Sequence, residues 1–172
     1  PQIGIAEGHH FCSHHRGVAD LVEKIGRIDR YYMDHFALFL AKLEATKDVD
    51  GRSVLHNSMI VYGCGNSDGN RHTHHNLPIV LAGGGGGTLN PGRHVRLGGQ
   101  PMSNLFLGMV DRMGVTGVTR IGDSSGRSSP STSRVAAVMP TPARAASRVN
   151  PTIASRTLRR MGFRAQPAAL VR

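Results

Sequence analysis

Seven of the ten histidines fall in two short clusters, His9, His10, His14 and His15 near the start, and His72, His74 and His75 further on. Neutral imidazole offers a lone pair without first losing a proton, which makes histidine the commonest metal ligand near neutral pH. His10 and His14 are four apart and share a face if their segment is helical, as two ligands of one ion should. His9 and His15 then point elsewhere. His72 and His74 are two apart and lie on one side of an extended loop, with His75 facing away. Asp68 adds a hard oxygen ligand, or a carboxylate that orients an imidazole from behind. The local set is therefore Asp68, His72 and His74, joined by His10 and His14 if the two clusters converge around a divalent ion, zinc or calcium. The competing role for these residues is hydrogen bonding within polar loops, and neither cluster has zinc-finger or HExxH spacing.

Other motifs carry less. The run Gly83 to Gly87 lacks the Gly-Lys-Ser/Thr ending of a phosphate loop and the GxGxxG context that opens a helix. Arg93, His94 and Arg96 form a basic turn that could meet an anionic substrate or simply face solvent. Cys12 and Cys64 are too few for a disulfide scaffold.

The elements that must position these side chains are legible from apolar spacing. Val18, Leu21, Val22, Ile25, Ile28, Tyr32, Phe36, Phe39 and Leu43 recur at three- and four-residue intervals, which predicts one long amphipathic helix from Val18 to Thr46, ended by a turn at Asp50 and Gly51. Two short apolar runs follow, Met59 to Tyr62 and Leu77 to Ala82, each of strand length. Being apolar on both faces, they read as interior, parallel strands, although the polar residues 63–76 between them make a poor crossover helix and a better functional loop. A second helix is expected with Ser103 as its N-cap and Gly114 as its stop.

Charge divides the chain. The formal net charge is +10, but residues 1–126 hold 12 Lys plus Arg against 11 Asp plus Glu, whereas residues 127–172 hold nine Arg and no acid. The latter stretch is rich in Ala, Ser, Pro and Arg, without an apolar period, and reads as a disordered tail beyond a domain of residues 1–126. Its arginines lack the aromatic platforms of a nucleic-acid site, so no nucleic-acid partner is expected. No apolar run approaches the roughly 20 residues that span a bilayer. The chain opens without an initiator Met and reads as a fragment.

The stretch His10-Phe11-Cys12-Ser13-His14-His15 has the form H-x-x-S-H-H, and the chain resembles the HXXSHH family, a bacterial domain of unknown function. The resemblance continues through IDRYYMDHFALFLAKL, HNSMIVYGCGNSDGNRHTHHNLPIVLAGGGGG, PGRHVRL, MSNLFLGMVDRMGV and IGDSSG, from Glu7 to Gly126. It implies the C-terminal portion of a longer protein that is exported, to the periplasm or beyond. That family is distantly similar to the alkaline phosphatase and sulfatase group. This implies an α/β fold with a mostly parallel sheet and flanking helices, and a strand whose end, followed by Asp68, delivers the site. The activity implied is metal-dependent hydrolysis of phosphate or sulfate esters, acting on a small anionic substrate; the alternative is a non-enzymatic exported binding or surface module with a structural metal. The tail departs from the family pattern, and its composition resembles GC-rich DNA translated in a shifted frame.

Overall fold

The computed structural model describes residues 3–95 and 97–127. Arg96, and the stretch read as a tail apart from its first residue Arg127, lie outside the described residues. The elements in chain order are helix α1 (His9–Ser13), helix α2 (Ala19–Ala45), helix α3 (Val54–Asn57), strand β1 (Ile60–Gly63), strand β2 (Ile79–Ala82), a 3-10 turn (Gly85–Gly87) and helix α4 (Ser103–Arg112).

The two strands form a two-stranded sheet, and they pair antiparallel: Ile60 with Ala82, Val61 with Leu81, Tyr62 with Val80 and Gly63 with Ile79. The expected parallel, alkaline-phosphatase-like sheet is thereby corrected. Burial on both faces does not require parallel pairing; it needs only helices above and below the sheet. Here Val61, Ile79 and Leu81 pack with Leu89, Leu105 and Met109, on the α4 side. Their neighbours Ile60 and Ala82 pack with Phe36, Leu40, Leu43 and Leu55 of α2 and α3. Alternate residues of each strand thus bury on opposite sides, as a pleat requires. A parallel partner would need a crossover of a dozen or more residues, usually a helix. Residues 64–78 form none; they run out, turn at a bridge between Asp68 and Thr73, and return as the long loop of a hairpin.

Helix α2 occupies the expected span, but of the nine spaced apolar residues only Ile28 is fully buried, Val18, Tyr32 and Phe39 are exposed, and the other buried position is Leu40. Its ends of the chain are used differently: Leu40 joins the sheet, whereas Ile28, with Leu21 and Ile25, packs on Ile5 and Cys12 and so fixes α1. Burying such a side chain is worth roughly 1.5–3 kcal/mol, against a few tenths for an exposed pair such as Arg30–Asp34. Apolar burial therefore decides where α2 lies. Lys24 adds a partly buried clasp, donating to Glu7 Oε1 at 2.6 Å and pairing with Asp20 at 2.8 Å.

The glycine run is a packing device. A Cβ on Gly83 would overlap the Ser58 carbonyl, and one on Gly84 would stand 2.6 Å from that of His56. These glycines let the chain lie against α3, where Gly84 N donates to Leu55 O and Gly85 N to Ser58 O. With Gly87 N also bonded, to Gly84 O, the loop keeps no row of free amides for a phosphate.

Helix α4 starts one residue earlier than an N-cap at Ser103 implies. Met102 holds the N-cap position, and Ser103, already helical, donates to Asp123 Oδ1 at 2.6 Å. Buried Asn104 takes the N–H groups of Ser125 and Gly126 on its Oδ1, so the segment after α4 is stitched back onto the helix start. Arg127 belongs to this ordered unit: its Nε meets Asp111 at 2.6 Å and its guanidinium donates to Val118 O. No helix among the described residues is long and apolar enough to cross a membrane.

Candidate metal centre

The two histidine clusters meet. Helix α1 carries His10 and ends at His14, its C-cap, so the four-residue spacing stacks the two rings 4.7 Å apart between centroids at an interplanar angle of 84°. The His14 ring also meets His72 from the hairpin loop, at 4.8 Å and 85°. His14 is the middle of a row of three imidazoles drawn from two distant segments.

Two backbone features hold the segments together. Arg16 N donates to Asn70 Oδ1 at 2.9 Å. A Cβ on Gly69 would lie 3.0 Å from Ser13 Cβ, so glycine there permits the close approach of loop to helix. On either side of this seam stands a non-glycine residue in the left-handed region, Arg16 at φ 48° and His72 at φ 52°. Such conformations cost about 1–3 kcal/mol and gather where the surrounding structure imposes them.

The left-handed turn at His72 also breaks the expected alternation along the loop. His72 and His74 do not act on one side of an extended strand: His72 goes to His14, and His74 gives its Nδ1 to a bond with Gly65 O at 2.8 Å. Asp68 is engaged locally as well. Its Oδ1 accepts from Asn70 N at 2.9 Å and Arg71 N at 3.2 Å, and its Oδ2 lies 3.8 Å from Arg71 Nε. This is an Asx-type turn that shapes the loop tip. His9 points away to Asp29 Oδ1 at 3.2 Å, and His15 Nδ1 accepts from Gly17 N. His75 is exposed.

Of the five residues singled out by sequence, the fold thus joins His10, His14 and His72, and gives Asp68 and His74 separate bonds. Among the described residues no three His, Cys, Asp or Glu side chains converge as a ready ligand group. The row is packed edge to face, and its outer members His10 and His72 are exposed. Exposed side chains change rotamer on the picosecond-to-nanosecond scale, so the outer two rings are not fixed in this packing. His14 is partly buried, and that burial, followed by its neighbours His10, His72 and Arg16, holds its pKa below the usual imidazole value. That direction favours the neutral imidazole, the form that ligates. A set of imidazoles suits zinc and similar ions; calcium takes oxygen ligands and is ill served here.

Sequence reasoning missed Arg16, Asn70 and Ser13, the residues that join the clusters. The Asp68-Gly69-Asn70 turn signal was the available hint, since it places a tight bend just ahead of His72.

A scan against protein-family models, a search of curated proteins and a search of solved structures each gave no match to the chain.

Proposed function

We propose that this chain binds a zinc-type divalent ion through His10, His14 and His72. What supports the reading is one observation, that the His14 ring contacts a histidine of each segment. Three imidazoles with the remaining position open to water make a recurrent donor set for a catalytic zinc, and such an ion polarises an ester and acidifies bound water. The resemblance to the HXXSHH family agrees with it, since that motif contributes His10 and His14. Hydrolysis of phosphate or sulfate esters by an exported protein rests on that resemblance alone, because the antiparallel hairpin removes the fold-based argument for a phosphatase-like sheet.

Equilibrium dialysis against zinc followed by metal analysis tests the reading. The 172-residue chain should retain about one ion, His14→Ala should lose it, and His10→Ala and His72→Ala should bind at least about tenfold more weakly, whereas His74→Ala and His75→Ala should bind as the parent does. A His14→Ala chain that holds zinc as tightly as the parent would refute the site. An ester-hydrolysis screen on the zinc-loaded chain then separates a catalytic from a structural ion.

A further inference from the structure

Strand β1 has one paired edge and one open edge. Strand β2 takes the backbone groups on one side, and no group of the described residues outside the sheet hydrogen-bonds to the backbone of residues 60–63 on the other. Burial follows the same division: β2 is buried from Val80 to Ala82, whereas Ile60, Val61 and Tyr62 are half-buried and Gly63 is exposed. Natural sheets guard an open edge with lysine, proline or a bulge. Residues 57–67 contain no charged residue and no proline, and the register with β2 runs without a bulge. Both faces beside the edge are apolar as well. On the α2 side Tyr62 stacks on Phe36 with ring centroids 4.6 Å apart, and the exposed Phe39 ring lies 6.4 Å from Phe36. On the α4 side lies a groove of about 370 Å³, lined by Val61, Gly63, Cys64, Gly65, Met102 and Phe106.

We infer that this edge pairs with the same edge of a second copy of the chain, antiparallel about a two-fold axis at Tyr62, which joins the two hairpins into one four-stranded sheet.

What the edge offers decides the occupant. Its outward N–H and C=O groups call for extended backbone, and the lack of charge beside them calls for a strand that is uncharged and apolar on both faces. Strand β1 is itself such a strand. A two-fold interface sets the same patch on both partners, so two copies match without any second sequence, and no like charges meet at the seam. With the axis at Tyr62, Val61 of the second copy stands opposite Gly63, and Met59 of the second copy opposite Gly65. These are groove positions, and around Gly65 the space where a Cβ would stand is open to 4 Å. Apolar side chains of one copy thus enter where glycines of the other leave room. A lone two-stranded sheet is marginal, and the paired hairpins exceed the three strands that give a sheet independent stability.

Sedimentation velocity of the full 172-residue chain across a wide range of concentration, with hydrogen exchange of the residue 60–63 amides on the same samples, tests the pairing. The chain should pass from monomer to dimer, and protection of those amides should grow with it. Cys64→Lys and Phe106→Lys change exposed side chains at the seam and the groove, and each should weaken the dimer about tenfold or more through like charge. Cys64→Ser, and Val49→Lys on the exposed loop after α2, should dimerise as the parent does; circular dichroism checks that every variant is folded. Because Cys12 is buried, a nitroxide can be placed on Cys64 alone, and in the dimer the two labels should couple within about 20 Å, four strand residues apart along the seam. A parent that stays monomeric, a dimer that neither lysine weakens, or a dimer without coupling between the labels overturns the inference. So does protection that is independent of concentration, since another segment of the same chain would then hold the edge.

Discussion

The amide of Arg16 donates to Asn70 Oδ1 across the gap between the N-terminal helix and the hairpin loop, at 2.9 Å. This single bond sets the spacing of His14 and His72, because each residue lies two positions from one of its partners. Asn70→Ala should therefore weaken zinc binding although no ligand is touched, and Asn70→Asp, which keeps the acceptor, should restore most of it. The bond itself is worth about 1 kcal/mol, so roughly a fivefold effect on affinity is expected in dialysis. A loss equal to that of His72→Ala would mean that the loop has collapsed, and circular dichroism of the same samples distinguishes the two.

The metal-free chain should become less stable as pH falls through the ordinary imidazole range near 6.5. His14 has a folded pKa below the unfolded one, so the unfolded state takes up more protons there, and stability rises with pH across that window. Urea denaturation in chelator at pH 5.5 and 7.5 measures the difference, and His14→Gln should shrink it. A parent chain equally stable at both values would contradict the assignment.

Gly83→Ala and Gly84→Ala should destabilise by about 3 kcal/mol or more, because each Cβ would drive into a carbonyl of the 56–58 segment. Gly86 also has a left-handed φ of 64° but faces open space, so Gly86→Ala should cost only about 1 kcal/mol. Thermal melts of the three variants would show whether the run serves packing or needs flexibility throughout.

Asn104→Ala should cost about 2–3 kcal/mol by leaving the amides of Ser125 and Gly126 without their acceptor. Asn104→Asp keeps the Oδ1 acceptor of both amides and should lose less. Hydrogen exchange at those two amides reports directly on the bonds.

How far the sequence could be read follows from the kind of signal each feature leaves. The period of Leu21, Ile25, Ile28, Phe36 and Leu43 marks α2 because one helix face is fixed by the chain alone. The alternation of Ile60, Val61, Ala82 and Leu81 likewise told that both sheet faces are covered. It could not tell strand direction, which depends on how residues 64–78 return, and a polar loop of that length is compatible with several routes. For the histidines, the helical spacing of His10 and His14 held, while the pairing of His72 with His74 failed on one dihedral. Histidine is enriched among the few non-glycine residues with positive φ, but the region stays uncommon even for it, so the residue type alone does not mark this turn. Ser103 was misplaced as a cap for a similar reason: its hydroxyl found Asp123, a partner twenty residues away.

The bridge between Asp68 and Thr73 has a bearing on how such a protein can diversify. Strand register is fixed further down, by the four pairs from Ile60–Ala82 to Gly63–Ile79, and the bridge closes the loop tip a second time above it. The four residues between, Gly69 to His72, form an exchangeable cassette. Descendants could shorten, lengthen or rewrite it, replacing the histidine or its neighbouring arginine, without sliding either strand or disturbing the layers of helix beneath. Selection can thus tune what the loop holds while leaving foldability almost unaffected.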